Sequence, residues 1–479
     1  MKVLIIIILL LPMMAFAKGT KSKKNKTRKP AQATLSINDV TPEFAALSER
    51  VIGREATQGR EATSGVTTGD ELDALIKDVD ANYNTFTDDS QKLLAAQLSF
   101  LKVYRGVIYR ARGLVAEYDF VRSSIITALR FTGQATQIYL PTSQWSAGFD
   151  YMVEPFDFNA AREVIEINDD ASYKQYLVKE VIPALQTFSS RIAAINFNNI
   201  VWDNKVFYQN ANFVDSRDRF FRLSDNEKAS LRSAIYASMS ATYGLKAYSL
   251  NGLFNTINEV SKKFGINAMF DMGGSLASSR AEIIRENLSL NLVDKPALSR
   301  SFEAMKEAVR FAQEAIDGVA QDGNAADNNN LFNFAAINAF SRVNNNVING
   351  VSNIVLPEGN GQLASAVVSG EVVEIDLEKM FVGDPPTSLV SFLPVGFDED
   401  MAGRHRGGVF LGKHPVKLKK GDDYYVDFTY GQPNDWDEEL FKKYFPGATS
   451  DEEIKKIVRI VSQSYGSLGV GIPLSLVMF

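Results

Sequence analysis

The chain reads as a mainly α-helical protein with a small C-terminal α+β region. Three observations predict this: apolar residues recur at spacings of three and four from about residue 71 to 364, capping signals stand where those runs begin, and alternating segments appear only beyond about 365. The helices predict an irregular bundle or a helix-hairpin solenoid-like array, since no fixed repeat period with recurring landmark residues is present. The expected divisions are a leader at 1–17, a disordered basic arm and linker at 18–70, a helical domain at 71–364 and an α+β domain at 365–479.

The leader has a short positive start at Met1-Lys2, an apolar run from Val3 to Leu11, and Ala15-Phe16-Ala17 as a small-x-small cleavage site. Val3 to Ala17 is 15 residues with Pro12 inside it, short of the ~20 that a membrane-spanning helix needs. Cleavage after Ala17 is expected, leaving no transmembrane span. Residues 18–70 lack hydrophobic periodicity, and Gly53-Arg54-Glu55-Ala56-Thr57 recurs as Gly59-Arg60-Glu61-Ala62-Thr63. Such a segment buries too little apolar surface to offset its ordering entropy, so a tether is expected.

The first helical stripe is Leu94, Leu98, Leu101, Tyr104, Ile108, Ala111 and Val115. The second is Leu177, Val181, Leu185, Phe188, Ile192 and Ile195, in which Pro183 should kink or divide the helix. Ser224 followed by Glu227 forms a capping box before Leu231, Ile235 and Met239. Leu250 to Phe264 forms the next face, with Gly265 placed to cap it. Phe302, Met305, Val309, Ala312, Ile316 and Val319 follow, then an asparagine-lined helix from Phe332 to Ile354 closed by Pro357. Beyond 365, strands are expected at 372–377 and 388–395, separated by Pro385-Pro386. A hairpin is expected from Val416–Lys419 to Tyr424–Tyr430, with a helix near Trp436–Phe445 and a second capping box at Ser450–Glu453.

Composition restricts the chemistry. The absence of cysteine excludes disulfides, thiolate nucleophiles and thiolate metal sites, and in an exported chain it favours a bacterial envelope. Setting aside Lys2 and the seven basic residues of 18–29 leaves 43 basic against 57 acidic residues, a body of −14 beside an arm of +7. The arm, Lys18, Lys21, Lys23, Lys24, Lys26, Arg28 and Lys29, is a candidate for an anionic envelope polymer or lipid surface. The acidic body argues against nucleic acid as the main partner.

The motifs with catalytic potential are incomplete. Ser99-x-x-Lys102 and Ser224-Asp225-Asn226 match two elements of serine penicillin-binding enzymes, but Lys-Thr-Gly is missing and Ser99 falls inside a helical stripe. Asp78, Asp80, Asn82, Asn84 and Asp89 follow calcium-loop spacing, with Tyr83 where the turn needs glycine. Arg404, His405, Arg406, Gly407 and Gly408 form a candidate anion-binding loop, in which backbone N–H groups would hold the ligand. The only other histidine is His414, and the two lack zinc-ligand spacing. No cofactor is expected. The chain is therefore expected to be an exported envelope protein that binds, as a scaffold, accessory or structural component. The alternatives are a periplasmic serine hydrolase acting on envelope polymers and a small-ligand carrier with an interhelical pocket.

Overall fold

The computed structural model describes residues 35–54, 61–114, 142–153, 165–206, 219–252, 254–255, 290–321, 353–355, 374–392, 416–420, 423–427, 437–450, 452–454 and 457. Among them the protein is mostly helical with few strands. The expected leader and basic arm, up to residue 34, lie outside the described residues.

Helix α1 (Pro42–Ile52) corrects the expected linker. Thr41 caps it by accepting the Phe44 N–H, Pro42 occupies its first turn, and Phe44 and Leu47 are buried in the core. Phe44 packs on Trp202 with ring centroids 5.0 Å apart. Periodicity missed this helix because only two of its side chains are deeply buried apolar groups. The helix ends at Gly53, whose φ of 76° suits glycine, and a Cβ there would stand 2.3 Å from the Thr63 carbonyl oxygen. That close approach pairs β1 (Gly53–Arg54) with β2 (Thr63–Ser64), so the start of one repeated pentapeptide meets the end of the other.

Helix α2 (Gly69–Asn82) opens on a Thr68–Glu71 capping box and buries Leu72, Leu75, Ile76 and Val79. Helix α3 (Asp89–Phe100) is capped by Asp88, whose carboxylate also accepts the Thr41 hydroxyl at 3.0 Å, tying the starts of α1 and α3 together. The stripe from Leu94 to Val115 is not one helix. It passes through a 3-10 turn at Leu101–Tyr104 and breaks at Gly106 (φ 57°) before the short α4 (Val107–Arg110). The Gly106 N–H instead donates to the Tyr151 carbonyl at 2.7 Å, which docks α5 (Thr142–Val153) at this corner.

Pro183 acts as its chemistry requires. Helix α6 (Asp170–Tyr176) runs into a π-helical turn at Leu177–Val181 before α7 (Ile182–Ala194). Proline has no N–H for the Lys179 carbonyl and its ring crowds that oxygen. The widened turn, with Ile182 N–H bonding to Leu177, relieves both problems. The stripe survives: Leu177, Leu185, Phe188 and Ile192 are buried, and Phe188 stacks on Phe100 at 5.1 Å. β3 (Val201–Asp203) and β4 (Phe220–Arg222) then form a short antiparallel pair.

The longest elements among the described residues are α8 (Asp225–Ala247) and α9 (Lys295–Gln321), which pack antiparallel. Ser224 caps α8 in the capping box expected from sequence, and Ile235 and Met239 are buried. Two hydroxyls fix the register: Ser233 donates to the Ala308 carbonyl and Ser301 to the Ser240 carbonyl, each at 2.7 Å. The two positions are seven residues apart in both helices, so the small side chains fall on one seam. Ser240 is 1% and Ser301 0% exposed. A leucine has no room there: Ser301→Leu is expected to lower unfolding free energy by about 1–3 kcal/mol through overpacking. Urea denaturation would measure the loss, whereas an unchanged midpoint would show a looser seam.

The segment expected to be a separate α+β unit shares this core. Leu377, Met380, Phe381, Leu389, Phe392 and Phe441 belong to the same buried cluster as α1–α9. Phe381 stacks on Phe302 of α9 at 5.6 Å, and Leu389 N–H donates to the Leu290 carbonyl. Three local expectations change or hold here. Residues 388–392 do not form the expected strand; Leu389–Phe392 is a 3-10 turn that inserts Phe392 among Phe441, Tyr444 and Phe445. The end of the expected asparagine-lined helix is β5 (Asn353–Val355), paired with β6 (Glu374–Asp376). The two expected strands of the hairpin are present, β7 (Val416–Lys420) pairing antiparallel with β8 (Asp423–Asp427), and α10 (Glu438–Tyr444) follows.

Candidate functional site

Two of the sequence motifs with chemical potential, Ser99-x-x-Lys102 and the calcium-loop spacing, meet at the junction of α2, α3 and α7, where the structure gives them other roles. Asp80 accepts a hydrogen bond from Lys102 at 2.9 Å and forms an ion pair with Arg191 at 2.8 Å, and the Arg191 guanidinium lies 3.9 Å from the centre of the Tyr83 ring. Burial alone would raise the Asp80 pKa; the hydrogen bonds and charges of Lys102 and Arg191 outweigh it and hold the carboxyl below the usual carboxylate range. Lys102 is therefore committed to Asp80. Ser99 is 2% exposed, and its hydroxyl bonds to nothing among the described residues. The pair does not form a serine–lysine dyad, because a nucleophile must reach both its base and a substrate.

The calcium-loop spacing also dissolves. Asp78 and Asp80 lie in the last turns of α2, where the backbone is helical, and Asp78 pairs with Arg50 at 2.7 Å. Asn82 donates back to the Asp78 carboxylate at 2.8 Å. Among the described residues, no three histidine, aspartate or glutamate side chains are grouped to hold a metal ion.

A second polar network is buried around α4. Arg110 donates to Glu180 at 2.8 Å, to the Arg105 carbonyl at 3.0 Å and to the Ile165 carbonyl at 3.3 Å. The Tyr176 hydroxyl donates to the Val103 carbonyl beside it. Asp73 holds Lys77 at 2.7 Å and Arg105 at 3.3 Å. Burial, and to a lesser degree the Asp73 charge, raises the Tyr151 pKa, so the phenol stays protonated. These groups tie the irregular segment 101–114 to α2, α5 and the π turn, and each charge faces an opposite one.

One open cleft of about 500 Å³ lies where the first turn of α8 meets the last turns of α9. Asp225, Glu314 and Asp317 give it a carboxylate-rich rim, with Arg310 and Gln313 beside them. Gly318 shapes its floor: a Cβ there would stand 1.8 Å from Asn226 Oδ1, so the asparagine lies directly against the helix backbone. Asp225 accepts from Asn198 at 2.8 Å and Asp317 from Gln313 at 2.6 Å. Such a surface suits a small hydrogen-bonding or cationic group. Ser224-Asp225-Asn226 forms part of this region, but the Ser224 hydroxyl is engaged with Glu227 and the Asn226 N–H as the helix cap.

Sequence reasoning missed the cleft. The Ser224 capping box marks where α8 starts, but nothing local brings Asp317 and Gly318 beside it; that follows from antiparallel packing. Lys18, Lys21, Lys23, Lys24, Lys26, Arg28 and Lys29 lie outside the described residues, as do Arg404, His405, Arg406, Gly407 and Gly408. Comparison with protein-family models, curated proteins and solved structures finds no match.

Proposed function

We propose that this chain is an exported protein of a bacterial cell envelope that acts by binding, as a scaffold, accessory or structural component. The observation that carries the reading is the order of segments at the N-terminus: an export-type leader, then seven cations, then a body of −14. Each lysine or arginine close to an anionic surface contributes about 1 kcal/mol, so the arm suffices to hold the protein at acidic lipids or an anionic polymer. The body's own charge keeps it off that surface, leaving it free to engage an envelope protein. The absence of cysteine suits a chain that must fold outside the cytosol without disulfide isomerisation. Among the described residues, no helix is long and apolar enough to cross a membrane.

Fractionation of the native host's cells with intact-mass measurement tests this. The expected species begins at Lys18 and sediments with the envelope at low salt. It is released near 1 M salt, where the screening length falls to about 3 Å. A full-length species retained through the salt wash would overturn the reading, because Met1–Ala17 would then be an anchor.

A further inference from the structure

Asp384–Pro385 is the one Asp–Pro step in the chain, and the structure surrounds it with groups suited to breaking it. Lys443 Nζ lies 2.6 Å from Asp384 Oδ2. The next residue of the same helix, Tyr444, donates its hydroxyl to the carbonyl oxygen of Asp384 at 2.8 Å, and this is the carbonyl of the Asp–Pro bond. We propose that the folded protein cleaves itself between Asp384 and Pro385, with Asp384 as nucleophile, Tyr444 as oxyanion donor and Lys443 as acid.

Several features fit these roles. The hydrogen bond from Lys443, joined by the charges of Lys295 and Lys379, holds the Asp384 carboxyl below the usual carboxylate range, so the nucleophile is ionised. Burial raises the Tyr444 pKa, so its phenol keeps the proton it donates. Asp384 is exposed, which admits water, while Pro385 and Pro386 are buried and fix the leaving side. The leaving nitrogen belongs to proline, a secondary amine more basic than an ordinary peptide nitrogen once freed, and so more readily protonated as the bond breaks. Five-membered ring closure makes the attack intramolecular.

In the reaction, Asp384 Oδ1 forms a bond to the backbone carbonyl carbon of the same residue. The carbonyl electron pair moves onto Asp384 O, where the Tyr444 O–H stabilises the developing charge. When that pair returns, the C–N bond to Pro385 breaks and the nitrogen takes a proton from the Lys443 ammonium. The cyclic anhydride left at Asp384 adds one water. It opens to two carboxylates and releases two protons, one restoring Lys443 and one charging the new prolyl amine. The net change is hydrolysis of one peptide bond.

The halves would stay together. Tyr248 Oη donates to the Pro386 carbonyl at 3.3 Å, and Leu292 N–H to the Thr387 carbonyl at 2.8 Å, both across the cleaved bond. Cleavage would therefore be silent in native chromatography, and it would convert one chain into a two-chain assembly.

The test is denaturing mass spectrometry of the purified full-length protein after timed incubation in neutral buffer, folded and in guanidinium. Expected are fragments ending at Asp384 and beginning at Pro385, formed at a first-order rate independent of protein concentration. The folded chain should react on the order of 100-fold faster than the unfolded one, the effect of a single well-placed oxyanion donor. Tyr444→Phe should remove most of that advantage without changing the melting temperature. Asp384→Glu, which keeps the charge but must close a six-membered ring, should stop the reaction. If Tyr444→Phe melts early, Lys443→Gln on the helix surface serves instead and should also slow cleavage. No fragment beginning at Pro385, or equal rates in folded and unfolded chains, would overturn the proposal. So would a rate unchanged in both Tyr444→Phe and Lys443→Gln.

Discussion

Phe44→Ala is expected to cost about 3–5 kcal/mol of unfolding free energy, the range for removing a fully buried aromatic ring. Phe44 is 0% exposed and packs against Trp202, so the cavity would open between α1 and β3, two elements anchored at other points. Neither can shift to fill it: α1 is tied to α3 through Thr41 and Asp88, and β3 is paired with β4. The loss of ring area and the unfilled volume therefore add. Urea denaturation measures the effect, with Glu43→Ala on the exposed face of the same helix as the control, expected to change stability by less than about 0.5 kcal/mol. An equally small change for Phe44→Ala would mean that 42–52 is the tether the composition suggests.

Glu180→Ala is the second large effect. The Arg110 side chain is 6% exposed and meets Glu180, itself 25% exposed, at 2.8 Å. Removing the carboxylate takes away the anion that faces this guanidinium, and breaking such a pair costs about 3–5 kcal/mol. Water reaches Glu180, so the lower end, about 3 kcal/mol, is expected here. Glu180→Gln retains an acceptor and should lose less. Combining Glu180→Ala with Arg110→Met removes both members of the pair, and the double variant should be more stable than Glu180→Ala alone. Equal stability of the single and double variants would show that the charge of Arg110 does not depend on Glu180.

Local sequence signals worked where a local cause decides the structure. Ser224 and Glu227 cap α8 because a hydroxyl and a carboxylate three residues apart satisfy the free N–H groups of a helix start in any context. Pro183 forced a departure from α-helix because it has no N–H to give. Val416–Lys420 and Asp423–Asp427 pair as their alternating residues led one to expect, again from a local pattern. The stripe through Leu101 and Tyr104 misled because its spacing of three and four continues across Gly106, where the backbone turns left-handed and the helix stops. Ser388 to Val395 misled differently: an apolar run reads as a strand, but Phe392 is drawn into an aromatic cluster that lies far away in sequence.

The candidate site shows the same division. Ser-x-x-Lys was legible as a pattern, yet whether Lys102 serves Ser99 or Asp80 depends on how α2 and α3 pack. The acidic cleft was invisible, because Asp225 and Asp317 approach only through the crossing of two long helices.

By itself the sequence determined the mainly helical class, the exclusion of thiol chemistry, the segregation of positive charge to the arm and the positions of the strongest caps. These follow from composition and from interactions within a few residues. Only the tertiary structure decided that 42–52 is core, that Asp80 takes Lys102, that Ser301 must stay small, and that Lys443 and Tyr444 close over the Asp384–Pro385 bond. Those outcomes depend on which surfaces meet, and burial between distant segments leaves no mark in the local order of residues.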